Sequence, residues 1–87
     1  MEARVGTKNN PAKFDCYENA LPDEPMFHLL ARDPDFGRLV RAWADRREAD
    51  CQCGQRPMSD MAMVIEAREC AEAGVNWRRE NNGKWRR

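Results

Sequence analysis

Apolar side chains recur at helical spacing in the middle of the chain. They occupy positions i, i+3, i+4 and i+7, the spacing of one helix face: Phe36, Leu39, Val40 and Trp43. Asp33 is a suitable N-cap, and Pro34 is tolerated in a first turn because its missing N–H has no partner there. The pattern therefore predicts a helix that starts at Asp33-Pro34 and runs to about Asp50.

A second apolar series lies nearer the C-terminus. Its members are spaced alternately by four and three residues, as expected for a single seam along a helix: Met63, Ala67, Cys70, Gly74 and Trp77. Ser59 and Asp60 supply a cap and a favourable negative charge at its start. Gly74 can end a helix or admit a close neighbour. Because Trp77 keeps the period, we predict that the helix continues to about Glu80.

A shorter helix is predicted over residues 24–32. It follows Pro22-Asp23-Glu24-Pro25, whose carboxylates suit the positive end of a helix dipole. Its apolar side is formed by Met26, Phe27 and Leu30. It must end at Asp33, because the residue before a proline is pushed out of the α region.

These elements predict an all-α fold, a small three-helix domain with an antiparallel helix pair and flexible termini. We assign residues 1–12 to a flexible N-terminal arm, 13–80 to a single helical domain and 81–87 to a basic C-terminal tail. An 87-residue chain buries a thin core. We therefore expect stabilisation by a partner or by self-association, so a homodimer is possible.

Cysteine and histidine usage favours no catalytic or metal site. The N-terminus is polar, which argues against a signal peptide, and the sequence contains no run of about 20 apolar residues that could form a spanning helix. We therefore expect a cytoplasmic protein whose cysteines are free thiols. Cys51 and Cys53 form one tight pair without a second, whereas structural zinc sites use two pairs. His28 has no orienting group or oxyanion site. We predict no catalytic residues, metal or cofactor; zinc at Cys51/Cys53 or a disulfide between copies are the alternatives.

Charge is distributed unevenly along a chain whose net charge is zero. Residues 14–77 carry thirteen Asp or Glu against seven Lys or Arg, a net charge of −6, and the two ends are basic. An acidic exterior can dock on basic surfaces that normally hold nucleic acid. The predicted partner-binding residues are Asp33, Asp35, Glu66, Glu69 and Glu72. The alternative interpretation is an ordinary solvated surface.

The C-terminal residues 76–87 alternate basic and aromatic side chains, a pattern that suits phosphate neutralisation and base stacking. A small helical regulatory protein that binds nucleic acid through this tail is therefore the alternative function. The net negative charge of residues 14–77 would repel the phosphates of a long nucleic-acid segment. Our leading hypothesis is therefore docking on a basic protein surface, without direct contact with nucleic acid or a membrane.

Four stretches carry a resemblance to known proteins. They are KFDCYENALPDEPMF (residues 13–27), LLARDP (29–34), MSDMAM (58–63) and EARECA (66–71). Together they resemble short proteins of phages and prophages of α-proteobacteria, within which the chain is similar to anti-CRISPR proteins directed against the type I-C surveillance complex. The resemblance covers about residues 12–87. It implies non-covalent binding to subunits of the bacterial crRNA-guided complex and inhibition of target DNA binding, with no catalytic residues.

Overall fold

Two α-helices form the body of the protein. The computed structural model describes residues 5–10, 19–82 and 84, and in this part of the chain there is no strand. Helix α1 spans Phe36–Gln52 and helix α2 spans Met61–Glu80, with a short 3-10 turn at Met58–Asp60 between them. The all-α class is confirmed. Half of the predicted arm and most of the predicted tail lie outside the described residues, as do residues 13–18 of the predicted domain.

The predicted helix over residues 24–32 is wrong. The segment consists of turns and irregular backbone, with Glu24 N–H donating to the Leu21 carbonyl and Asp33 N–H to the Leu30 carbonyl. Pro25 and Pro34 bracket only eight residues, and isolated helices this short are marginal unless packing stabilises them. Phe27, whose side chain is 87% exposed, provides no such packing. The described chain therefore contains two helices rather than three.

Helix α1 begins two residues later than predicted. Asp33 does not cap it: its Oδ1 accepts a hydrogen bond from the Asp35 N–H at 2.8 Å, and its carbonyl accepts one from the Phe36 N–H at 3.0 Å. Asp33 and Pro34 thus form a tight turn ahead of the helix instead of its first turn.

The end of α1 is fixed by a glycine. Gly54 has a φ of +83°, the left-handed conformation that only glycine adopts freely. Gln55 N–H donates to the Asp50 carbonyl and Gly54 N–H to the Cys51 carbonyl, which is the Schellman arrangement. The helix therefore includes Cys51 and Gln52, which the sequence had placed in the connector.

The start of α2 also differs from the predicted capping. Asp60 is the residue before the helix, but its side chain makes no capping hydrogen bond. Its carboxylate instead pairs with the Arg47 guanidinium of α1 at 3.3 Å, with both side chains largely buried. At the other end, the prediction that α2 passes Gly74 and ends at Glu80 is confirmed.

Small side chains form the contact between the two helices. The buried positions are Phe36, Gly37, Ala44 and Cys51 on α1, and Val64, Ala71 and Gly74 on α2. The Phe36 ring covers Gly74 so closely that an added Cβ would lie 2.3 Å from the ring. The seam keeps Phe36 and Gly74 from the predicted stripes, but its centre is rotated by just under one residue on each helix. Small residues take the centre because they allow the closest approach of two helix axes.

Candidate partner-binding site

Three of the predicted contact residues share the outer side of α2. Glu66, Glu69 and Glu72 are spaced by three residues, so they span about 120° of the helix circumference. They lie on the side away from the buried positions Val64 and Ala71. Glu72 is exposed, and Glu66 and Glu69 are half-buried. We call these three glutamates the acidic face.

The other two predicted contact residues lie elsewhere. Asp33 and Asp35 precede α1, which begins where Phe36 covers Gly74 of α2. Gly74 lies about 160° around α2 from Glu72. The structure therefore groups the three glutamates on one face and leaves Asp33 and Asp35 apart from them.

Arginines surround the two separated aspartates. Asp35 pairs with Arg38 at 3.3 Å, and both side chains are well exposed. Asp33 lines a groove of about 360 Å³ together with Arg78 and Arg79 near the end of α2. Neighbouring guanidinium groups reduce the negative potential that a basic partner would meet. Asp33 and Asp35 are therefore weaker candidates for electrostatic docking than their charges alone suggest.

Ion pairs brace the hairpin that carries the acidic face. Arg68 of α2 reaches Glu48 at 2.7 Å and Asp45 at 3.0 Å, and these two hydrogen-bonded carboxylates raise the pKa of its guanidinium. Arg47 stacks over the Trp43 ring at 5.0 Å while holding Asp60. These contacts fix the rotation of α2 against α1, and hence the direction in which the glutamates point.

Half-exposed large apolar residues form a second surface that the sequence had assigned to the core. Leu39 and Trp43 are each 43% exposed on α1, and Trp77 is 44% exposed on α2. The signal that locates the true seam is the seven-residue spacing of smaller side chains, Gly37-Ala44-Cys51 and Val64-Ala71. The large apolar residues alone predict a buried side that is rotated on both helices, and so they place this surface in the core.

The described cysteines, Cys51, Cys53 and Cys70, do not assemble a metal site with His28. Among residues 5–10, 19–82 and 84, no group of three or more His, Cys, Asp or Glu side chains could hold a metal ion. Cys51 is buried with its thiol donating to the Pro57 carbonyl at 3.4 Å, whereas Cys53 is exposed. Burial raises the pKa of both Cys51 and Cys70, the latter with help from the charge of Glu66. His28 is exposed on the irregular segment. Cys16 lies outside the described residues.

The basic end of α2 is partly engaged in structural contacts. Arg78 is half-buried and donates from Nε to the Arg32 carbonyl at 3.0 Å, and Arg79 donates to the Asn76 side-chain oxygen. Asn81 closes the helix through its own N–H and side-chain amide, which both donate to the Trp77 carbonyl. Most of the tail beyond Asn82 lies outside the described residues, so nucleic-acid binding by the tail stays a prediction.

No protein family, characterised protein or solved structure matches this chain at a significant level. In the part of the chain that the structure describes, neither helix is long and apolar enough to cross a membrane.

Proposed function

We propose that this protein is a non-catalytic anti-CRISPR inhibitor. It binds the type I-C crRNA-guided surveillance complex in the bacterial cytoplasm through its acidic face and prevents target DNA from binding. The observation that carries the proposal is the acidic face, three glutamates on the outer side of a helix whose other side is packed against α1. The resemblance of four sequence stretches to anti-CRISPR proteins supplies the identity of the partner.

Electrostatics explains how such a small domain could compete with DNA. A surface that holds the phosphate backbone is lined with Lys and Arg, and a row of carboxylates of opposite sign is steered to it during association. The ion pairs of Arg68 and Arg47 hold α2 in one rotation, so the glutamates need little further ordering on binding. The proposed inhibition requires occupancy of the site and no chemical step.

Charge reversal on the acidic face tests the proposal. The variant Glu69→Lys/Glu72→Lys leaves the helix seam untouched, and the control Asp23→Lys/Glu24→Lys changes net charge equally at exposed positions ahead of α1. We expect the first variant to bind the purified complex at least about tenfold more weakly, because each lost attraction becomes a repulsion. The control should stay within about threefold of the original protein.

The assay measures binding of labelled target duplex by the complex as inhibitor is added, at two salt concentrations. The original protein should lose potency as salt rises, because exposed charges are screened. Undiminished, salt-insensitive inhibition by the folded Glu69→Lys/Glu72→Lys variant would refute docking through the acidic face. Failure of the unmodified protein to bind the complex at all would refute the identity of the partner.

A further inference from the structure

Three half-exposed apolar residues of the two helices, Leu39, Trp43 and Trp77, lie on one side of the hairpin. Arg68 joins Asp45 and Glu48 on one side of the hairpin. On α1, Trp43 lies about 160° around the helix from Asp45, and on α2 Trp77 lies about 180° from Arg68. The tryptophans therefore share the opposite side of the hairpin. We call this surface the apolar strip; its members are Leu39, Trp43, Ala67, Cys70 and Trp77.

Large and small side chains alternate between the two halves of the strip. The contact of Phe36 with Gly74 sets the register of the antiparallel helices. Moving along both helices from this contact places Trp43 level with Ala67, and Leu39 close to the level of Cys70. On this side α1 thus presents bulky groups where α2 presents small ones. A second hairpin laid on top, α1 over α2, would set Trp43 of each copy over Ala67 of the other.

Charges beside the strip have the same complementary arrangement. Arg46 lies on the outer edge of α1, with its side chain 82% exposed and an ion pair to Asp50 at 3.4 Å. Glu66 lies on the outer edge of α2, next to Cys70, whose pKa its charge raises. Arg46 is level with Val64, so Arg46 and Glu66 are separated by only about 3 Å along the direction of the helix axes. Laying α1 of one copy over α2 of another would therefore bring Arg46 to Glu66 twice.

We infer that the apolar strip is the interface of a two-fold symmetric homodimer, a four-helix bundle in which α1 of each copy packs on α2 of its partner. A two-fold interface requires a surface complementary to itself, and the strip meets this requirement in both shape and charge. Aromatic residues with a charged rim are also the usual composition of an interface core. Glu69 and Glu72 point away from the strip, whereas Glu66, the third member of the acidic face, takes part in the dimer contact, so in the dimer the proposed docking rests on Glu69 and Glu72.

A charge-exchange experiment tests the dimer on the full chain under reducing conditions. Light scattering during size exclusion should give the unmodified protein twice the 10.1 kDa mass of one chain. Arg46→Glu and Glu66→Arg each place like charges together at both symmetric contacts, so each variant should dimerise at least about tenfold more weakly. An equimolar mixture of the two variants should regain dimers, because both contacts then join opposite charges.

Folding failure cannot imitate this result, since two misfolded variants do not restore each other. The double variant Arg46→Glu/Glu66→Arg should also dimerise like the original protein. A protein that remains monomeric up to about 100 µM would overturn the inference, because a dissociation constant above that concentration is too weak for an ordinary specific interface. Dimers that persist in both single variants, or a mixture that stays monomeric, would equally overturn the assigned interface.

Discussion

Gly74→Ala is the perturbation whose outcome depends most directly on how α1 meets α2. In an isolated helix this change stabilises by about 1 kcal/mol, because alanine has the higher helix propensity. In the folded protein the new Cβ would lie 2.3 Å from Phe36 Cε1 and 2.7 Å from Cδ1. Real Cβ atoms do not approach a ring this closely, so the ring must move out of its buried position.

The magnitude follows from two opposing contributions. Displacing a buried aromatic ring in a packed interface costs about 2–3 kcal/mol, from lost burial and overpacking together. Subtracting the gain of about 1 kcal/mol in helix propensity leaves a net destabilisation of about 1–2 kcal/mol. For a chain of this size the melting temperature should fall by about 4–16 °C.

The assay is urea unfolding followed by circular dichroism at 222 nm, in four proteins that form a double-mutant cycle. Phe36→Leu removes the ring edge that meets Gly74, so Gly74→Ala should be neutral or stabilising in that background. Gly37→Ala is a matched control for an added Cβ at the helix contact, because its Cβ would meet Cγ2 of Val75 at 2.7 Å and not the Phe36 ring. An equal effect of Gly74→Ala in the original protein and in the Phe36→Leu variant would refute the packing described here.

Three further outcomes are expected. Val64→Ala should lower the free energy of unfolding by about 1–3 kcal/mol in urea titrations, since Val64 is fully buried, whereas Ile65→Ala, half-exposed next to it, should cost less than half as much. In native protein at pH 8, iodoacetamide should modify the exposed Cys53 well before Cys51 and Cys70, as mass spectrometry of timed samples would record; equal rates among the three would contradict the burial described. Because burial raises the pKa of Cys70 above 9.0, the folded state keeps the thiol proton longer than the unfolded state, so stability should fall as pH rises past 9; a Cys70→Ser variant should show a shallower fall.

Sequence periodicity located both long helices but not the direction in which they face. The end of α2 at Glu80 was predicted correctly because Trp77 keeps the period through Gly74. The seam was misplaced because large apolar residues were taken as buried, whereas Ala44 and Ala71 occupy the centre. Hydrophobic burial per residue favours large side chains, but close approach of two helices favours small ones.

The failed helix over residues 24–32 has a different cause. Its apolar pattern is genuine, yet local pattern cannot stabilise eight residues between prolines without a surface to pack on. The five predicted partner-binding residues fall into two separate groups in the structure for a similar reason. The spacing of Glu66, Glu69 and Glu72 fixes them on one helix face, whereas the position of Asp33 and Asp35 depends on the turn before α1 and on arginines distant in sequence.

A seam of methyl-sized groups reverses the usual relation between side-chain volume and mutational tolerance. Selection for folding alone, applied to every single substitution, should reject nearly all enlargements at Ala44 and Ala71, both fully buried, while accepting many polar replacements at Trp43. Selection for biological activity should add a second set of intolerant positions among the bulky outer residues. The two screens would therefore identify two sets of positions on the helices, one required for folding and one required for binding, with little overlap between them.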